Sequence, residues 1–171
     1  SSTNTEDVYL YNGATTTNLS NNTSGIWLYD PQINNSGQVV WSQWNGSTYA
    51  DDVYLYNGTT ATKLTNNTSG TYVNNLQINN NGQVVWYQQN NSTYIYDVYL
   101  YDGATTTNLT NNTSGTYVYG PQINDNGQVV WYQGNWGYAR WNIYLAVPCV
   151  VESTNQPPIV NAGSSQTATE G

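Results

Sequence analysis

Residues 52–56 read DVYLY, with Val53 and Leu55 on one parity and Tyr54 and Tyr56 on the other. Successive side chains of a strand point to opposite sides of its sheet, so a strand apolar at both parities is covered on both faces. The segment QVVWYQ (83–88) has the same character, whereas LQINN (76–80) and TATKLT (60–65) are more polar. Between such segments stand Asn-Gly, Asp-Gly and Ser-Gly pairs, whose glycine accepts the positive φ of a tight hairpin. These turns recur at Gly37, Gly82 and Gly127, and again at Gly13, Gly58 and Gly103. No window of about 11 residues carries a helical stripe, and Val, Thr, Tyr and Trp dominate the apolar positions. The pattern predicts an all-β chain of short antiparallel strands.

The pattern is periodic. DVYLYNG at 7–13 returns at 52–58 and, as DVYLYDG, at 97–103, with a faded copy, NIYLAVP, at 142–148. The step is 45 residues each time, and NNTSG (from 21, 66 and 111) and QVVW (from 38, 83 and 128) keep it. A period of this size marks a solenoid, a propeller or an array, in which one unit cannot bury its apolar face without its neighbours. Four strands to a repeat, each sheet covered on both faces, predict the blade of a β-propeller.

The order PQINNSGQVVWSQ, DVYLYNG, TKLTNN resembles the TolB-type, WD40-like propeller repeat over residues 7 to 146. The resemblance implies four-stranded antiparallel blades. Leu76 stands where Pro31 and Pro121 open the other repeats, and Ser36-Gly37, Asn81-Gly82 and Asn126-Gly127 replace the family's Asp-Gly turn. Strand counting places the third strand of a blade first, then two whole blades, then three strands of another. That makes about three blades, incomplete or completed by a partner, where propellers carry about 4–8. The predicted organisation is a propeller region over 1–147, a Pro-containing linker over 148–158 and a tail over 159–171. NQPPIVNAGSSQTATEG (155–171) resembles the opening strand of a PKD-type immunoglobulin-like domain, and the tail is read as that start or as a donor strand.

Composition narrows the function. At 171 residues such a chain can bury roughly 70% of its unfolded surface. Charged residues are 7% of the total, against about 25% in an average protein. The net charge is −8, with Lys63 and Arg140 as the only cations. Phosphate backbones require a basic footprint, so nucleic acid is excluded as a partner. No apolar run approaches the roughly 20 residues of a spanning helix, and no membrane insertion is expected. There is no His, one Cys (Cys149) and one Lys, so catalytic machinery is hard to assemble. No enzyme activity, cofactor or metal is expected.

Asp7, Asp52 and Asp97 recur before a strand. With Asp51, Asp52 offers hard oxygens for Ca²⁺, but acceptance of backbone N–H groups at a strand entrance explains the recurrence better. The glycosylation acceptor Asn-x-Ser/Thr occurs at Asn18, Asn21, Asn22, Asn34, Asn45, Asn57, Asn66, Asn67, Asn90, Asn91, Asn108, Asn111 and Asn112. Thr15, Thr16, Thr17, Thr105, Thr106 and Thr107 are candidates for O-linked sugars. The segments 42–51, 87–96 and 132–141 differ most between repeats and are read as loops, with Trp44, Tyr94 and Trp136 as residues able to stack on a sugar ring. Function on a propeller sits in such loops. The expected protein is an extracellular or cell-surface structural or adhesive module, glycosylated and self-assembling into an oligomer or filament of identical protomers. The rivals are a carbohydrate-binding, lectin-like propeller and a non-catalytic part of an extracellular enzyme.

Overall fold

The computed structural model describes residues 6–22, 26–113, 115–135 and 141–148. The chain is all-β, and the described residues contain no helix. β1 (Tyr9–Tyr11) and β2 (Thr16–Asn18) form a two-stranded sheet. β3 (Ile26–Ile33), β4 (Val39–Asn45), β5 (Ala50–Tyr56) and β6 (Ala61–Lys63) form a four-stranded one, in chain order. β7 (Thr71–Ile78), β8 (Val84–Asn90), β9 (Ile95–Tyr101) and β10 (Thr106–Asn108) repeat it. β11 (Thr116–Ile123), β12 (Val129–Asn135) and β13 (Trp141–Ala146) form the last, three-stranded sheet. The predicted linker from residue 149 and the PKD-like tail lie outside the described residues.

Every pairing is antiparallel. The strand order within a repeat follows the hydrophobic pattern, but two boundaries differ from it. The first strand begins earlier, at Thr71 in β7, because an irregularity between Asn74 and Gln77 lets it bend and continue. Asp30 and Asn75 occupy left-handed backbone at the same point, with φ of 52° and 52°, a conformation their short polar side chains tolerate. Most of segment 42–51 is also strand: β4 pairs with β5 out to Asn45 and Ala50, leaving only 46–49 as the turn. Trp44 therefore stands on a strand opposite Asp51.

Both faces of the inner strands are packed. Val40, Val53 and Leu55 of one sheet meet Val73, Leu76, Val84 and Trp86 of the next. One repeat on, Val85 and Val98 meet Val118, Val129 and Trp131. On the opposite face of the first four-stranded sheet, Val39 and Trp41 pack against Val8 and Leu19. Trp41, Trp86 and Trp131 stack on their cross-strand partners Tyr54, Tyr99 and Tyr144 at centroid separations of 5.7, 5.8 and 5.8 Å. Each such pair contributes about 0.5–1.5 kcal/mol beyond burial, which is how a chain without Phe or Met builds a core.

Hydrogen bonds tie equivalent positions of successive repeats. Asn34 Nδ2 donates to the Asn79 carbonyl at 2.9 Å, and Asn79 Nδ2 donates to the Asn124 carbonyl at 2.9 Å. Backbone Asn35 donates to Asn80 Oδ1, backbone Asn80 to Asp125 Oδ1, and backbone Asn75 to Asp30 Oδ2. Partners 45 residues apart thus meet directly, and the first strands β3, β7 and β11 lie next to one another.

Candidate functional site

The recurrent aspartates clasp the strand entrances. Asp52 Oδ1 accepts from the Thr65 hydroxyl and from backbone Asn67, both at 2.8 Å, while Oδ2 pairs with Lys63 Nζ at 2.7 Å. Thr65 Oγ1 in turn accepts from backbone Val53, and Asn67 Nδ2 donates to the Asp51 carbonyl. The same closed set joins Asp7, Ser20 and Asn22, and Asp97, Thr110 and Asn112. The Asn22 backbone N–H, then the Ser20 hydroxyl, hold the Asp7 carboxyl below its ordinary value. This geometry accounts for the repetition of Asp by folding alone.

The acceptor asparagines divide by what their amides do. Nδ2, the atom a glycan would occupy, is already donated in Asn22, Asn34, Asn67 and Asn112, and Asn108 Nδ2 reaches the Tyr99 hydroxyl at 3.4 Å. Asn18, Asn45 and Asn90 are half-buried, with Oδ1 accepting turn N–H groups. Asn21 and Asn111 sit exposed in left-handed backbone. Asn57 and Asn66 are exposed with Nδ2 outside any hydrogen bond among the described residues, and Asn91 is exposed and takes a bond from Gln89 on Oδ1.

A cavity of about 840 Å³ opens between the two four-stranded sheets, walled by Trp27, Tyr29, Asp30, Trp44, Asp51, Tyr72, Val73, Asn74, Gln89 and Asn91. Of the three aromatic residues expected to meet a ligand, Trp44 lines it. Tyr94 does not: it ends the 91–94 turn at φ 55°, exposed and held by its N–H to the Asn90 carbonyl. Trp136 lies outside the described residues. Asp51 is 4% exposed; Oδ2 accepts from backbone Val73 at 3.1 Å, and Oδ1 has no hydrogen-bond partner among the described residues. Burial pushes its carboxyl up, against the pull of the Val73 N–H, and neighbouring Asp52 adds to the rise. Burial, then the charges of Asp51 and Glu6, raise the Tyr29 hydroxyl.

The walls of this cavity were legible only by comparing positions 45 apart. Asp51 corresponds to Glu6, which accepts from backbone Leu28 as Asp51 does from Val73, and to Tyr96; Trp27 corresponds to Tyr72 and Tyr117, and Trp44 to Gln89 and Gly134. At the next inter-sheet boundary Tyr96 packs on Tyr117, ring centroids 4.4 Å apart, and Tyr119 meets Tyr87 and Trp141. Rings fill there the space that the smaller Asp51 leaves here.

The two terminal sheets expose faces that the inner repeats bury. Val85 and Val98 are 0% exposed under the next sheet, but their equivalents Val130 and Ile143 are 36% and 71% exposed. Tyr132 and Leu145, on the same face, are exposed as well. At the opposite end Tyr9 and Tyr11 are 60% and 67% exposed, whereas their equivalents Tyr54 and Tyr56 pack against the preceding sheet. Neither a family model nor a curated protein matches this chain.

Proposed function

We propose that the chain is a β-propeller-type module of an extracellular or cell-surface structural or adhesive protein, and that identical protomers join through the faces of their terminal sheets. The carrying observation is the contrast between Val98 and Ile143, equivalent residues on the same strand face, one buried and the other open. What covers Val98 is another sheet of the same repeat, so a sheet of this repeat is the fitting cover for Ile143. Each sheet is then a blade. The two end faces differ, one led by Val130, Ile143 and Leu145 and the other by Tyr9 and Tyr11, so the contact is head-to-tail and yields a ring where the rotation closes and a filament where it does not. Glycans fit best on Asn57 and Asn66, whose amides the fold leaves exposed.

Sedimentation and light scattering on the purified chain test this reading. A particle mass of several chains is expected, reduced to the monomer by the double substitution Ile143→Asp and Leu145→Asp. A wild-type chain that remains monomeric at high micromolar concentration overturns it.

A further inference from the structure

We propose that the cavity between the two four-stranded sheets is a single binding site for a neutral saccharide of two or three sugar units. Its volume of about 840 Å³ falls within the roughly 300–1,000 Å³ of small-molecule sites. Trp27, Trp44 and Tyr72 supply apolar ring surface to it, and a sugar ring presents C–H groups that pack on such surface while its hydroxyls point sideways. Gln89 offers both an amide donor and an acceptor at the wall. When ionised, Asp30 and Asp51 accept hydrogen bonds and donate none, and no lining residue is cationic. Carboxylates without a cation repel sulfated and uronic sugars and select a ligand that donates hydroxyls.

Asp51 carries the strongest mark. A buried carboxylate oxygen without a partner is costly, and the chain keeps one at a position that holds Glu6 one repeat earlier, where the carboxylate likewise accepts from backbone Leu28, and Tyr96 one repeat later. At the later position the Tyr96–Tyr117 pair fills the gap. A hydroxyl donated to Asp51 supplies the missing partner. Among the described residues the cavity therefore belongs to the boundary between the two four-stranded sheets and is filled by rings at the next one, which separates it from a design with a sugar site between every pair of sheets. It is independent of head-to-tail assembly, because its walls come from sheets within one chain.

Titration of the full chain by calorimetry and tryptophan fluorescence tests the assignment, using disaccharides and trisaccharides of glucose, mannose, xylose and N-acetylglucosamine. Galacturonate trisaccharide and choline serve as anionic and cationic probes. Expected is saturable binding of at least one neutral series at one site per chain. Asp51→Tyr, which installs the residue of the next repeat, and Trp44→Ala should each weaken it about tenfold or more, as for anchors at a binding site. Tyr94→Ala should leave it unchanged, with circular dichroism confirming that all variants are folded. Failure of every neutral sugar to bind, preference for choline or galacturonate, several equivalent sites, or wild-type affinity in both Asp51→Tyr and Trp44→Ala overturns the proposal.

Discussion

Single residues here act through the polar partners they hold in a chain with few charges. Asp52 holds a hydroxyl, a backbone N–H and an ammonium at once, so Asp52→Ala strands three donors near a buried strand entrance. A loss of about 2–4 kcal/mol is expected in urea unfolding, with a smaller loss for Asp7→Ala, whose side chain is more exposed. The two acids Asp7 and Asp51 should respond to pH in opposite senses. Asp7 titrates below its ordinary value in the fold, so its contribution is present above the unfolded-state pKa and lost as pH falls through the folded one. Asp51 titrates above its ordinary value, so its ionisation penalises the fold as pH rises from the unfolded-state pKa through the folded one. Asp51→Asn should accordingly raise the melting temperature at neutral pH, and the gain should shrink as pH falls through the raised folded-state pKa and be gone below roughly pH 4. A gain that stays constant from acid to neutral pH would contradict that account.

The turn that joins the first two strands of each repeat can be probed as an element. Gly37 and Gly82 have φ of 74° and 77°, so alanine at either position costs roughly 1–2 kcal/mol for left-handed backbone. A Cβ at Gly37 meets nothing within 4 Å, but at Gly82 it would stand 2.9 Å from Gln38 Oε1 of the preceding repeat. That oxygen is held at 2.7 Å by Asn34 Nδ2. Gly82→Ala should therefore destabilise more than Gly37→Ala, and the difference, read from paired chemical-denaturation curves, measures the contact between repeats. These turns were readable from Ser-Gly and Asn-Gly pairs, since only glycine adopts their backbone at no steric cost. The extra length of β4 and β5 was not, because SQWN and ADD carry no alternation to mark a half-buried strand. Their outer ends are nonetheless buried, Ala50 and Asp51 among them, and Asp51 is tied to the neighbouring sheet by the backbone N–H of Val73.

Across the molecule, sheets cover one another in sequence, and stability should follow position in the stack. β4, β5, β8 and β9 are packed on both faces, whereas β13 is exposed along nearly its whole length. Hydrogen exchange should be slowest in those inner strands and fastest in β1, β2 and β13 of the isolated chain. Head-to-tail association should slow exchange selectively at β12 and β13. Equal protection throughout the chain would show that the terminal faces are already covered.

Local sequence determined the period, the hairpin turns and the order of strands, because glycine placement and two-sided apolar segments act over a few residues. Tertiary structure alone decided which of two equivalent faces is buried and where the stack leaves a cavity. Asp51 and Tyr96 occupy the same place in their repeats, yet one borders open space and the other fills it. That outcome depends on side-chain volumes contributed by two sheets 45 residues apart, a sum that no single stretch of the chain contains.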